Sequence, residues 1–452
     1  HYSKQISEST KFKLATHYTH GEGYYEQEKL KQAFSDYGLE DIILSQDTIN
    51  STDLVRRKWL NNDFGGITFS INKEIKNIDL ILGGSYNKYS GQHYGNIVWA
   101  EYSSNGAKDH LYYWNKAEKY DQNIYLKSNY KYSANTNLYV DLQKRIVDYT
   151  FQGKQEDGSL AEQNVVFDFY NPKIGLFHNL EKNQSLYASF AVANKEPNRN
   201  DYVESTPKSR PNHETLYDTE IGYKYFGKKL NFAVNIYQMN YKNQLVLTGE
   251  INDVGANTRV NIDDSYRKGI EAEANYILNN KITWSGNITL SENKIIKHTA
   301  YVDNWDTGDQ ETIDYENTDI AFSPKIICSS IINFKMDAKT DIDFISKYVG
   351  EQFIDNTSSD DRMLDDYLVN NIRISYKWEN KLLNSAKLTF QVNNLFDLEY
   401  VSSAWMYRFV SEGYDPRGSD PYVNADSQRG FNSAGYFPEA TRNYLLGLTI
   451  GF

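Results

Sequence analysis

Few side chains in this 452-residue chain are typed and spaced for chemistry, and most of those fall in stretches that read as connections. His17, His20, Glu22, Tyr24, Tyr25 and Glu26 lie close together. Rings and imidazoles at an exposed mouth can stack on a chelate, hydrogen-bond to it, or ligate haem iron, but the preferred reading here is strand-end aromatics of the interface girdle and loop packing, with His17 inside the wall. A second group, His93, Tyr94, Trp99, Tyr102, Tyr112, Tyr113 and Trp114, is the better ligand candidate, because fewer of its aromatics fall at strand ends. The run Lys195-Glu196-Pro197-Asn198-Arg199-Asn200-Asp201 follows an alternating strand that Pro197, with no N–H to donate, should end. Glu196, Arg199 and Asp201 could then tether a loop through charge-assisted hydrogen bonds; ligand contact and plain solvation are the alternatives. Asp303, Asp306, Asp309, Asp314 and Asp319 crowd one stretch but lack the fixed positions and central glycine of an EF-hand, so a solvated acidic loop is expected rather than a calcium site. Cys328 lies in an apolar run and is expected to be buried or lipid-facing. No Ser–His–Asp order, paired-carboxylate context, zinc spacing or phosphate-binding glycine loop stands out, so neither catalysis nor a metal or other cofactor is expected.

The elements that must position these residues alternate with period 2, which sends successive side chains to opposite faces of a strand. From Gly269 to Leu290, Ile270, Ala272, Ala274, Tyr276 and Leu278 oppose Glu271, Glu273 and Asn275. After Asn279-Asn280 the pattern resumes with Ile282, Trp284, Gly286, Ile288 and Leu290 against Thr283, Ser285, Asn287 and Thr289. Two such strands joined by Asn-Asn predict a tight hairpin with one apolar and one polar face. The pattern recurs around Leu138–Gln143, Leu230–Ile236, Leu368–Trp378 and Tyr444–Phe452, in about seventeen segments of which many approach the 9–11 residues a tilted strand needs to cross a bilayer. Asp141, Glu271 and Glu273 are expected on the polar side.

Composition narrows the class. Aromatics make up 15% of the chain, with 38 Tyr, so a disordered chain is excluded. No run approaches the roughly 18–20 apolar residues of a spanning helix. A net charge of −12 disfavours nucleic acid as a partner. Short turns, as at Glu74–Asn77 and Gly227–Lys229, alternate with long connections placed near Gly21–Asp53, Ser90–Lys119, Gln152–Asn164, Lys195–Glu214, Gly249–Tyr266, Glu292–Pro324, Glu351–Asp365 and Leu395–Ala440. Outer-membrane barrels sort their loops this way; sandwiches have no reason to. The expected fold is therefore an all-β, transmembrane, antiparallel up-and-down β-barrel. Strand parity, counted back from the last strand, implies at least one further strand before His1, so the chain is expected to be the C-terminal part of a longer or split protein.

Several motifs carry a resemblance. Val392-Asn393-Asn394-Leu395-Phe396-Asp397-Leu398-Glu399-Tyr400 resembles the NNLFDxxY segment near the end of TonB-dependent outer-membrane receptors, and Tyr436–Tyr444 with the strand ending in Phe452 resembles their closing strand. Lys195–Asp201 followed by Tyr217–Tyr223 is similar to their mid-barrel signature. Gly21–Glu26 and Ser265–Glu271 resemble barrels of the Bacteroidetes group.

The resemblance implies a 22-stranded barrel, of which residues 1–452 supply the C-terminal part without the N-terminal plug, driven by TonB through that plug. It implies TonB-dependent uptake of a scarce, large solute such as an iron–siderophore or haem chelate across a Gram-negative outer membrane. Cobalamin import and a passive porin or adhesion barrel are the alternatives. The expected partners are the plug, TonB, outer-membrane lipid and the barrel-assembly machinery, whose signal Phe452 resembles; a surface lipoprotein is left open as another. Tyr24, Tyr25, His93, Tyr94, Trp99, Tyr112, Tyr113 and Trp114 are the expected ligand contacts in extracellular loops. Glu196, Arg199 and Asp201 are the expected loop or plug tethers.

Overall fold

The computed structural model describes all residues except 46, 155–159, 204–209, 252–256, 379–384 and 452. Its strands fall into two compact units. The first, residues 1–131 and 138–173, holds β1 (Tyr2–Ser7), β2 (Thr10–Ala33), β3 (Ile42–Leu44), β4 (Asp47–Ile49), β5 (Ser51–Ile75), β6 (Ile78–Ala100), β7 (His110–Lys131), most of β8 (Thr136–Lys154) and the start of β9 (Leu160–Glu181). β1, β2, β5, β6 and β7 form an antiparallel meander in chain order.

The second unit, residues 132–137 and 174–452, contains β10 (Gln184–Lys195), the short helix α1 (Arg199–Val203), β11 (Glu214–Phe226), β12 (Leu230–Ile251), β13 (Asn257–Ile277) and β14 (Ile282–Asn304). It continues through β15 (Gln310–Asp319), β16 (Ile326–Lys335), β17 (Thr340–Val349), β18 (Gln352–Phe353), β19 (Met363–Leu364), β20 (Tyr367–Trp378) and β21 (Ser385–Asn393). It ends with β22 (Val401–Val410), β23 (Val423–Ala425), β24 (Phe431–Pro438) and β25 (Asn443–Gly451). The ladder here is β10–β11–β12–β13–β14–β16–β17–β20–β21–β25, antiparallel throughout. β15 pairs with the far end of β14, and β22 to β24 form an antiparallel group joined to that end of β14 by a short parallel pairing of Asp303 and Asn304 with Phe409 and Val410.

Because cross-strand partners share a face, the alternation in sequence becomes rungs across each unit. In the second unit one rung reads Ile221, Ile236, Ile270, Leu290. These side chains are 56%, 54%, 46% and 45% exposed. A continuous, half-exposed aliphatic stripe of this kind marks a surface that meets something other than water. The neighbouring rung Tyr223, Val234, Ala272, Ile288, Cys328, Tyr348, Leu368 runs on the same face, which places Cys328 there. In each unit the opposite face is polar and carries cross-strand Tyr–Gly pairs, among them Tyr125–Gly83 and Tyr113–Gly95 in the first, and Tyr187–Gly222 and Tyr237–Gly269 in the second. A Cβ on Gly269 would stand 2.6 Å from the Tyr237 hydroxyl, so the ring lies where only glycine leaves room.

The turns at one end are built locally. The Asn279 side-chain oxygen accepts from the amides of Lys281 and Ile282 at 2.8 and 3.0 Å, and Asp337 does the same for Lys339 and Thr340 at 2.7 and 2.8 Å. The predicted two-residue Asn-Asn turn is thus wider, occupying residues 278–281 between β13 and β14. The larger correction concerns the other end. β2, β5, β6 and β7 run for 24, 25, 23 and 22 residues, so most of the stretches assigned to the first two long connections are strand. The true connections there are residues 34–50, which include β3 and β4, and 101–109. Polar and aromatic residues continue the alternation past the apolar band, so composition changes while backbone geometry does not.

Candidate functional site

On the polar face of the second unit three rungs converge: Asp218, Met239, Arg267, Asn293; Glu220, Tyr237, Gly269, Ser291; and Gly222, Asn235, Glu271, Thr289. They floor a recess of about 470 Å³ whose other walls are Gln244–Leu247 and the connection Ile320–Pro324. Arg267 holds that connection in place by donating to Ser323 Oγ at 2.8 Å. Asn356 fixes it from the other side, accepting from the Ala321 amide at 2.9 Å and donating to the Leu247 carbonyl at 2.7 Å. Fixed donors from Arg267, Asn235 and Tyr237 beside acceptors from Glu220 and Glu271 can orient a polar solute against apolar walls from Met239 and Leu245. Glu271 is on the face its sequence position predicts, and so is Glu273 one rung further on. Asp141 accepts an ion pair from Lys127 at 3.2 Å and a hydrogen bond from Tyr139 at 3.0 Å in the first unit. Sequence reasoning missed Arg267, Tyr237 and Glu220; the parity that placed Glu271 would have placed them too.

Beyond the recess lies a buried charge cluster. The Arg362 side chain, fully buried, donates from Nε to Asp355 at 2.8 Å, from Nη2 to Thr357 Oγ1 at 2.7 Å, and pairs with Asp426 through Nη1. Asp426 also accepts from Asn432 Nδ2 at 2.9 Å and lies 3.5 Å from Arg408 Nε. Arg408 in turn donates to the Tyr315 hydroxyl at 2.8 Å, and the ring of Tyr315 stacks on His298 at 5.3 Å. Two cations against two carboxylates leave the cluster neutral, the condition under which burial is tolerable. It ties residues 352–364, β22 and the β23–β24 turn together. Nothing local in the sequence marks Arg362 or Asp426, whose partners are up to 64 residues away.

The acidic stretch 303–319 is not simply solvated. Asp303 accepts from Tyr407 at 2.6 Å, and Asp314 accepts from Thr299 at 2.6 Å. Asp306 accepts from the amides of Glu412 and Gly413 at 2.5 and 3.0 Å, and these bonds hold its carboxyl below the usual carboxylate range. Beside it Trp305, half exposed, stacks on Phe409 with centroids 3.8 Å apart. Among the described residues no group of three or more His, Cys, Asp or Glu is arranged to hold a metal ion.

The expected ligand contacts lie on strands, not loops: Tyr24 and Tyr25 on β2, His93, Tyr94 and Trp99 on β6, Tyr112, Tyr113 and Trp114 on β7. Parity then divides them. Tyr24, Tyr94 and Trp114 share one rung with Trp59 on the face that carries Phe12, Leu14, Phe69 and Leu82 lower down. Trp99, opposite Val55, is on that face as well. Tyr25 and His93 face the polar side. Tyr112 and Tyr113, 1% and 9% exposed, are packed in a core with Phe34, Tyr37, Leu39, Leu54 and Ile97. A register shift opposite Gly95 and Asn96 leaves Tyr112 as an extra residue, which turns both rings inward. Both rings, on β7, pack against the folded 34–50 connection.

The charged run after β10 does fold on itself. Asp201 and Asn198 exchange bonds, the Asn198 amide donating to Asp201 Oδ2 at 2.7 Å and the Asp201 amide to Asn198 Oδ1 at 3.1 Å. Arg259 on β13 reaches Asp201 at 3.4 Å. Arg199 opens α1, and Glu196 lies just before it. Phe452 lies outside the described residues.

A search of curated proteins finds no match for this chain. Solved structures do match in fold. The copper transporter OprC aligns with a TM-score of 0.70 at 13% identity over 99% of this chain and 63% of its own. The ferric-catecholate import receptor Fiu of E. coli, closed form, gives 0.62 at 15% over 100% and 63%, and the ferric yersiniabactin uptake receptor FyuA of Yersinia pestis gives 0.63 at 12% over 99% and 59%. The chain therefore spans about three fifths of the length of these structures. The family described as "TonB dependent receptor-like, beta-barrel" matches residues 2–395. With its alternating rungs and its polar face, the chain belongs to that family of outer-membrane receptor barrels.

Proposed function

We propose that this chain is the barrel portion of a TonB-dependent importer in a Gram-negative outer membrane. It takes up a scarce, large solute, of which an iron chelate such as a ferric siderophore or haem is the best-supported class. The observation that carries the proposal is the two-faced wall: a half-exposed apolar side suited to lipid, and a polar side whose Arg267, Tyr237, Glu220 and Glu271 line a recess. The ferric-catecholate import receptor and the ferric yersiniabactin uptake receptor among the fold relatives support the iron class, and the copper transporter makes copper the necessary control. The barrel's work is binding and passage, with no chemical step on the solute. Energy enters when TonB acts through a plug domain, for which Glu196, Arg199 and Asp201 are candidate tethers together with the loops they organise. Outer-membrane lipid and the assembly machinery are partners in the same proposal.

Uptake of a radiolabelled ferric chelate by cells expressing the full-length receptor, with and without TonB, tests this. Uptake that needs TonB, and falls about tenfold with Arg267→Ala as an oriented charged hydrogen bond is lost, is the expected result. Uptake indifferent to TonB would instead make the chain a passive pore.

A further inference from the structure

The outward face of the first unit carries a feature that solute import does not use. Its rungs can be followed outward from the membrane. Phe12, Ile71, Leu82, Leu126 and then Leu14, Phe69, Gly84, Ile124 form the apolar band. Tyr18, Gly65, Lys88 and Tyr120 close it, with the Lys88 ammonium 5.1 Å over the Tyr120 ring. Two polar rungs follow: His20, Asp63, Ser90, Glu118 and Glu22, Asn61, Gln92, Lys116. Then the same face turns aromatic across four adjacent strands, in the rung Tyr24, Trp59, Tyr94, Trp114. Beyond it Glu26, Arg57 and Asn96 restore polarity.

The rings make one surface. Trp59 lies 4.4 Å from Tyr24 and 5.9 Å from Tyr94, nearly parallel to the latter, and its Nε1 donates to Asn96 at 3.0 Å. Tyr24 and Trp114, at the two ends, are 48% and 37% exposed. Six residues separate Tyr24 from Tyr18, roughly 20 Å along a strand, or roughly 15 Å above the apolar band at the tilt of a barrel strand. Acyl chains do not reach that height across two polar rungs. The headgroups of outer-leaflet glycolipid do, and the surface is continuous with the lipid-facing band below it.

The chemistry suits a sugar. A pyranose offers a C–H face to an aromatic ring and hydroxyls at its rim, and here rings are bordered above and below by carboxylates and amides. Anionic headgroup phosphate fits less well, because the nearby cations are engaged. Arg57 pairs with Glu26 at 2.8 Å and covers the Tyr24 ring at 4.4 Å, and Lys116 pairs with Glu118 at 2.7 Å. We infer that the rung Tyr24, Trp59, Tyr94, Trp114 is a binding platform for the neutral saccharide of an outer-leaflet glycolipid, on the outer wall above the membrane. The inference rests on the outer-membrane reading but not on import.

The test uses the full-length receptor purified from outer membranes and placed in nanodiscs, with purified lipooligosaccharide and saccharide-free lipid A as competing probes, read by native mass spectrometry. The platform predicts at least tenfold preference for lipooligosaccharide, abolished in Tyr24→Ala/Trp114→Ala, whose folded, heat-modifiable gel mobility stays that of the wild type. Trp59→Phe, which keeps a ring in the row, should retain most of the preference. Equal retention of the two lipids, an unchanged double variant, or a second copy or surface lipoprotein occupying that wall would each overturn it. A receptor that enters bilayers but shows no preference refutes the platform and leaves the membrane reading standing.

Discussion

Arg362 shows what a single side chain contributes to the loop end of the second unit. Its guanidinium is fully buried and reaches two carboxylates, and removing it would strand both. Breaking a buried pair from one side costs about 3–5 kcal/mol. Arg362→Met should therefore loosen residues 352–364 and the β23–β24 turn, seen as new protease cleavage there while the wall strands stay protected. Asp306 gives a pH signature of opposite visibility, being exposed. Its carboxyl is held below the ordinary value by the amides of Glu412 and Gly413, so its stabilising bonds are fully present above about pH 4 and are lost as pH falls through its lowered folded value. Hydrogen exchange should find the amides of Glu412 and Gly413 protected at pH 7 and freed only once the pH has fallen below the ordinary carboxylate range, and Asp306→Asn should weaken protection at pH 7 without that pH dependence.

At the scale of the strand, alternation was legible and its extent was not. Ile270, Ala272 and Ala274 against Glu271 and Glu273 announced both the strand and its two faces, because period 2 maps side chains onto faces without further information. The outward ends of β2, β5, β6 and β7 were hidden because their alternating residues are polar and aromatic, so the apolar signal that marks a strand stops at the membrane border. Tyr112 escaped for another reason: its inward turn depends on a register shift against β6 that no local pattern encodes. The cluster of Arg362 with Asp355 and Asp426 was beyond reach for the same reason, since its members meet only after distant segments have folded. The Tyr–Gly pairs give the strand-scale prediction. Gly269→Val would drive a branched side chain into the Tyr237 ring and should destabilise the β12–β13–β14 wall by about 1–3 kcal/mol, measured as a lower midpoint for loss of heat-modifiable mobility. Tyr237→Ala in the same background should recover part of the loss.

For the molecule in its membrane, the cost of a charge should depend on the face that bears it. Ile236→Arg puts a guanidinium among exposed aliphatic side chains and should cost about 2–4 kcal/mol near the bilayer midplane, whereas Asn235→Arg, one residue away on the polar face, should cost far less. Spin labels read that difference of environment directly, without relying on folding yields. In receptor reconstituted into liposomes, with Cys328→Ser to remove the native thiol, single labels would be placed at residues 234, 235, 236, 270 and 271, and their collisions with oxygen and with a water-soluble nickel chelate compared. Labels at 234, 236 and 270 should collide with oxygen and be shielded from nickel, and those at 235 and 271 should do the reverse. A run of labels with one uniform accessibility, whichever quencher it favoured, would contradict the two-faced wall.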